Sequence, residues 1–446
     1  MKTHRRSRSP CAALFVAALA VVSSSCARQE KPSVVLVLID QLRADRLETL
    51  GASRGSAPEL DALARDGFFF GTSRAPAPWT YPSVCSLLTG LYPRVHKGDR
   101  ATSETGRPWI TRLPDPVLTL AEVLEREGYL TAGFVTNPYL KPESNFQQGF
   151  EHYEHDFVKS WDLTPGDPNR WWQQNSYANS VNSRVYELVE RFPARGKPLF
   201  LYVHYIDVHG PWDYAPFEVA GLSEEETYDA ATRYVSVKVK ELFDFLSNRL
   251  GGNLLFVVTS DHGRALDPMD ESADLLRVNK QSLHDFNLHV PLIFARTKAF
   301  PWQGRSRVPV SLVDVYPTLI SLLGLGGGDV DGVDLTPLFE GERIERDWLA
   351  AEVEEKGDRL SAEAIISDRV KFLHVGRPRN VYFEYDLVKD PWEMAPPLTT
   401  MGAQQEEKKH RLERTFEELE RSSFEAEMAP FDEEMREQLK SLGYVH

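Results

Sequence analysis

The sequence predicts an α/β protein with a mainly parallel sheet, helices on both faces of that sheet, and a small antiparallel subdomain towards the C-terminus. Three observations carry this. Residues 33–39 (SVVLVLI) form a short β-branched apolar run with almost no polar face, as expected of a strand covered on both sides. Similar runs recur at 130–135, 199–204, 254–259 and 292–295, with segments of helical period at 59–66, 117–127, 181–192 and 232–250. After Arg346 the rhythm changes: 364–367, 370–375 and 381–385 are strand-like runs too close together for helical crossovers, so they suit antiparallel pairing.

The two ends of the chain differ from this body. Residues 1–9 carry Lys2, Arg5, Arg6 and Arg8 without an acid, and an apolar run over 10–22 ends in Ser23, Ser24, Ser25 and Cys26. The run falls short of the roughly 20 residues a spanning helix needs, so 1–25 read as an export signal. Small residues before Cys26 resemble a bacterial lipoprotein cleavage box, which would acylate that cysteine; simple secretion is the alternative. Either way the protein is expected outside the cytoplasm, touching a membrane only through a lipid on Cys26. Cys11 leaves with the signal, and with Cys26 modified Cys85 is the one free thiol, so no intramolecular disulfide is expected. The mature chain is expected to divide into a catalytic domain over 26–346, the antiparallel subdomain over 347–400 and a charged helical tail over 401–446. In that tail Leu412, Phe416 and Leu419 recur at helical spacing and the polar face mixes acids with bases, as on a helix packed against the body.

Composition limits the partners. The 446 residues are 42% apolar and 26% charged, which is ordinary for a globular protein. Fifty-one Lys and Arg against 66 Asp and Glu give −15, and loss of the four signal cations leaves −19. A general nucleic-acid binder that gains affinity by neutralising phosphates is therefore excluded. Any anion handled here must meet positive charge supplied locally.

Ligands of α/β folds sit beyond the carboxyl ends of the strands, which directs attention to Asp40-Gln41, to 204–209 and to Asp261-His262. Two carboxylates from distant strands, each beside a neutral ligand-type residue, suit one divalent cation. Taken singly, either Asp could equally be a helix cap or turn residue. The segment 76–90 (PAPWTYPSVCSLLTG) adds a helix whose first turn is marked by Pro82, with Thr80 and Tyr81 at its N-terminal mouth. Free N–H groups and the positive end of the helix dipole favour an anion there. The Thr80 hydroxyl can cap that helix, or attack phosphorus or sulfur once a metal lowers its pKa.

Together VLVLIDQLRADRL, TYPSVCSLLTGLYP, FLYVHYIDVHGPW, FVVTSDHG, KQSLHDFNLHVPLIF, SLVDVYPTLISLLGL and FEYDLVKDPWE, in this order over roughly 33–395, resemble the sulfatase family of the alkaline phosphatase superfamily. The resemblance implies an alkaline-phosphatase-like α/β fold and hydrolysis of sulfate, phosphate or phosphonate esters. In that family the nucleophile is a Cys, matured to formylglycine, two residues before a Pro and ten before the Gly of the LLTG block. Here that register falls on Thr80, confirmed by Pro82 and Gly90, while Cys85 lies mid-helix in a stretch lacking the maturation motif. No formylglycine is expected. The family Arg four residues after the nucleophile is Val84, and its Lys-Trp-His block corresponds to 135–138, with neither Lys nor His.

The metal positions survive: Asp40, Gln41, Asp261 and His262 match the Asp-Gln and Asp-His pairs of the phosphonate monoester hydrolase branch, which implies one divalent ion (Ca, Mn, Mg or Zn). His209 matches the pocket His, and Lys280, eleven residues before Pro291, the second pocket Lys. Thr as nucleophile resembles the phosphodiesterase and phosphoethanolamine-transferase branches. The expected activity is therefore metal-dependent ester hydrolysis through Thr80, with His209 and Lys280 stabilising charge on an anionic ester substrate. Two alternatives stand beside it: a phosphoryl-headgroup transferase, and a catalytically silent binding lipoprotein on the same fold. Retention of all four metal positions speaks against the silent protein. His204, His284 and His289 leave a second metal open.

Overall fold

The central sheet has eight strands, and all five apolar runs expected as parallel-sheet strands lie in it. The eight are β1 (Ser33–Ile39), β2 (Phe68–Phe70), β3 (Leu130–Phe134), β4 (His152–Glu154), β5 (Leu199–Tyr205), β6 (Leu254–Thr259), β7 (Leu292–Ala295) and β8 (Gly304–Ser306), in the spatial order β8-β2-β7-β6-β1-β5-β3-β4. The computed structural model describes residues 30–430 apart from 53–54, 103–107, 156–176, 192–195, 213–214, 267–281, 355–360, 378–379, 392, 394–397 and 400. Cys26 and Lys280 lie outside the described residues.

Strand β1 is central and pairs in parallel with β5 and β6, while β3 pairs in parallel with β5 and β4. Only β7 runs against its neighbours. The period of two in β1 explains why the run is apolar throughout. Val34, Leu36 and Leu38 face one core, and Val35, Val37 and Ile39 face another. All six side chains are fully buried, which contributes about 1.5–3 kcal/mol apiece.

Six helices cover these faces: α1 (Pro58–Asp66), α2 (Thr80–Thr89), α3 (Leu120–Arg126), α4 (Ala178–Arg191), α5 (Glu224–Arg249) and α6 (Val315–Leu322). Side chains of α2, α3 and α6 join the first core, and those of α1, α4 and α5 the second. Two of these helices start where caps place them rather than where the apolar period begins. Helix α3 begins three residues after the periodic signal because Thr119 and Glu122 form a capping box. Helix α5 begins eight residues before it, because Ser223 and Glu226 cap a first turn made only of Glu.

Beyond Arg346 lies a four-stranded antiparallel sheet in simple order: β9 (Leu349–Glu354), β10 (Ser361–Ile366), β11 (Val370–Arg377) and β12 (Val381–Asp386). Its residues Leu349, Ala364, Ile366 and Leu373, which share one face, belong to the first core. Strand β9 is the one element of this sheet that sequence periodicity did not separate. Helix α7 (Ala403–Arg421) buries Leu412, Phe416 and Leu419 on the same core. The tail is not helical throughout, however: Glu427–Pro430 is a strand paired with Pro108–Arg112. The apolar period that docks the helix ends at Leu419, and two Ser follow Arg421. Among the described residues no helix is long and apolar enough to cross a membrane.

Candidate metal and nucleophile centre

Because β6, β1, β5 and β3 are parallel neighbours about 4.8 Å apart, their carboxyl ends deliver side chains to one place. In register, Leu38 stands opposite both His204 and Thr259, so Asp40, His204 and Asp261 emerge side by side. Asp40, His204 and Asp261 are fully buried, and one ligand atom from each lies within 4.8 Å of the other two.

The turn after β1 builds much of the pocket. Gln41 adopts a left-handed backbone (φ 65°), and its N–H donates to Asp261 Oδ1 at 3.0 Å. The N–H of His262 donates to the same oxygen at 2.9 Å. Arg43 forms a two-pronged pair with Asp45 and also donates to the Arg264 carbonyl, which ties this turn to the one after β6. Gly263 closes that second turn. Its N–H donates to the Asn287 carbonyl at 2.7 Å, and a Cβ there would lie 2.1 Å from the Phe286 carbonyl oxygen.

Charge in the pocket is one-sided. Asp40 Oδ2 accepts from Asn137 Nδ2 at 2.8 Å, but burial and the neighbouring Asp261 push its carboxyl well above the usual range. Asp40 Oδ1, Asp261 Oδ2, Gln41 Oε1 and His204 Nε2 are all shut from solvent with no hydrogen-bond partner. Buried polar atoms are rarely left so, and two buried acids with bare oxygens fit a divalent cation. His262 completes the group: its Nε2 lies 3.5 Å from Asp261 Oδ2 and 3.9 Å from Asp40 Oδ1.

Thr80 opens α2, two residues earlier than Pro82 suggested, and its hydroxyl is fully buried. Pro82 is third in the helix, still within the first turn, where an N–H would have no intrahelical partner. Thr80 Oγ1 stands 3.4 Å from His262 Nε2 and 3.4 Å from Asn137 Nδ2. Cys85 is buried five residues further along, and burial pushes its thiol far up, the opposite of a reactive cysteine. His209 is neutral: burial and Arg264 hold it down to about 3, and its Nδ1 faces the Gly210 carbonyl.

Within the sulfatase-like register, sequence reasoning left three contributors without a role. Asn137 touches both Asp40 and Thr80. Arg264 acts electrostatically on Asp40 and His209, is stacked on Trp212 and paired with Glu224, and follows His262 by only two residues. His204 was open only for a second metal, yet its imidazole lies in the same pocket as Asp40 and Asp261. The other two candidates for a second metal are occupied elsewhere. His284 contacts Ser282 and Tyr385, and His289 contacts the Gly71 carbonyl.

Behind the His284 segment lies a second buried charge cluster. Arg74 makes two contacts with Asp285, and Lys371 Nζ reaches Asp285 at 2.6 Å, Glu393 at 2.7 Å and the Leu283 carbonyl at 2.9 Å. Lys371 comes from β11, so this cluster joins the antiparallel sheet to the segment Asp285–Leu288.

The family profile named Sulfatase matches residues 32–325, which contain every residue of the pocket. The chain belongs to the sulfatase family. This family of ester hydrolases includes relatives at modest identity. The pig (Sus scrofa) N-acetylgalactosamine-6-sulfatase is 25% identical over 71% of this chain and 68% of its own. The choline-sulfatase of Rhizobium meliloti is 25% identical over 82% of each. The fold is likewise that of solved structures. The phosphonate monoester hydrolase of Agrobacterium radiobacter superposes with a TM-score of 0.64 at 20% identity, covering 87% of this chain and 95% of its own. A 2-O GAG sulfatase gives 0.63 at 18%, covering 88% and 93%.

Proposed function

We propose that the protein hydrolyses an anionic ester outside the cytoplasm, with Thr80 as nucleophile, and that phosphodiesters or phosphonate monoesters are better substrates than sulfate esters. The observation that carries this reading is the buried Thr80 hydroxyl at the mouth of α2, 3.4 Å from His262 Nε2 and beside the two buried acids. Asp40, Gln41, Asp261 and His262 would hold one divalent ion, which when bound supplies a Lewis acid that lowers a hydroxyl pKa and polarises a substrate oxygen.

Thr80 Oγ attacks phosphorus in line, its proton is relayed to the neutral His209, and the leaving oxygen departs by taking that proton. The N-terminus of α2 and Arg264 offer positive charge to the equatorial oxygens. Lys280 is assigned the same role on sequence register alone, and His209 handles the proton of the departing or entering oxygen. Water then attacks phosphorus and expels Thr80. A Thr ester has no geminal hydroxyl through which to eliminate, as a formylglycine adduct has, so this second attack is obligatory. That requirement, with Val84 in place of the family Arg, favours phosphoryl over sulfuryl transfer.

The test is a panel of aryl sulfate, aryl phosphodiester and aryl phosphonate monoester, run with added divalent ion and with chelator, on wild type and Thr80→Ala. Diester or phosphonate turnover that is metal-dependent and falls at least about a thousandfold in Thr80→Ala is the expected result. Activity unchanged in Thr80→Ala would overturn the nucleophile, and turnover of the sulfate alone would overturn the substrate preference.

A further inference from the structure

We propose that His204 is itself a ligand of the ion held at Asp40 and Asp261, and that this second imidazole makes the centre select a zinc-like transition ion over calcium or magnesium. The inference rests on the reading that the pocket binds one divalent metal.

The proton bookkeeping comes first. Thr136 Oγ1 lies 3.2 Å from the His204 carbonyl and 2.8 Å from His204 Nδ1. A hydroxyl has one proton; given to the carbonyl, it leaves the oxygen to accept Nδ1–H, so Nε2 is the bare nitrogen. His262 is set the same way, because its Nδ1 lies 2.6 Å from the Gly263 carbonyl, which can only accept. Both bare nitrogens then face carboxylate oxygens: His204 Nε2 is 3.6 Å from Asp40 Oδ2, and His262 Nε2 is 3.5 Å from Asp261 Oδ2.

A histidine with only a structural role would donate to the acid beside it. Here 3.6 Å is too long for that bond, and Asp40 Oδ2 already accepts from Asn137. Lone pairs aimed at one another across such gaps are relieved by a shared cation. Two donors each about 2.0–2.1 Å from one such ion stand roughly 3–3.5 Å apart, close to the spacings seen. The support is also of the kind ligating histidines have, with the far nitrogen fixed by a hydroxyl or carbonyl. The donors then comprise two carboxylates, one amide oxygen and two imidazoles. Calcium and magnesium favour all-oxygen sets, whereas imidazole favours zinc and its neighbours.

The experiment takes metal-stripped protein and titrates Zn2+, Co2+, Mn2+, Ca2+ and Mg2+ singly, reading bound ion by elemental analysis, the shift in Tm and the visible Co2+ band. Wild type should retain one Zn2+ through dialysis and gain no comparable Tm from Ca2+ or Mg2+. His204→Ala should bind Zn2+ at least about 100-fold more weakly and lose the wild-type Co2+ band, with weak Ca2+ binding little changed. Thr136→Val keeps the ligand but removes its support. It should cost about 10–100-fold in Zn2+ affinity, and it carries the test if His204→Ala does not fold. Unchanged Zn2+ affinity and Co2+ band in the folded variant, or a wild type that prefers Ca2+, would overturn the assignment while leaving the metal site standing. A wild type that binds no ion would remove the metal reading as well.

Discussion

The molecule contains two buried charge clusters that solve the same problem differently. Around Asp285, the acids Asp285 and Glu393 meet Arg74 and Lys371, and nearly all of the charge is cancelled by side chains. Around Asp40, two acids converge on histidines, an amide and a hydroxyl, with no cationic side chain in contact among the described residues. The first cluster balances its charge with its own side chains. The second has bare oxygens and nitrogens and makes electrostatic sense only with a partner from outside the chain. The lesson is that burial of charge does not by itself mark a functional site; the imbalance does.

Substitutions should split the two clusters by sign. Lys371→Met leaves Asp285 and Glu393 facing each other in the core and should cost about 3–5 kcal/mol of stability, read as a lower urea midpoint. Asp261→Asn in metal-stripped protein removes a like charge from Asp40, so it should leave stability unchanged or raised while abolishing metal uptake. Equal destabilisation by both would erase the distinction drawn here.

Asp207 offers a third solution, a proton. It is fully buried, caps α4 by accepting from the Ala178 N–H at 3.0 Å, and burial raises its carboxyl to about 7. Its folded pKa lies above its unfolded value, so the folded state binds the proton more tightly and stability falls as pH rises towards 7. Between pH 5 and 7 this amounts to about 2 kcal/mol, which Asp207→Asn should remove from the pH profile of unfolding. A wild-type profile equal to that of the variant would show that a cation or water serves Asp207 instead. Smallest of all should be Cys85→Ala: activity within about twofold of wild type and stability lower by about 1 kcal/mol. A large loss of activity with the fold intact would return Cys85 to the chemistry.

Much of this was legible in the sequence because strands buried on both faces are apolar throughout and leave little ambiguity. The runs at β1, β5 and β6 gave the sheet, and the residues just beyond two of them gave Asp40, Gln41, Asp261 and His262. Helix starts were less legible, since Ser223 and Thr119 set them through hydrogen bonds that carry no periodic signal. His204 was legible only as a candidate for a second metal. It lies inside a strand, one residue from its end, so its sequence neighbours do not say which acid it meets. Only the register that sets Leu38 opposite His204 brings it beside Asp40. Asn137 and Arg264 were missed because neither lies in a recognisable motif, and only the fold brings Asn137 against Asp40 and Arg264 near His209.

The close packing at Gly263 has a consequence for how the protein fails. With no room for a side chain, the turn that carries His262 and the segment that carries Asp285 meet through peptide groups, which cannot yield as side chains do. The charge-paired clamp therefore acts as the backing plate of the reactive pocket. On heating, the loss of catalysis and the loss of fold should coincide in a single event, leaving no folded but inactive form to accumulate.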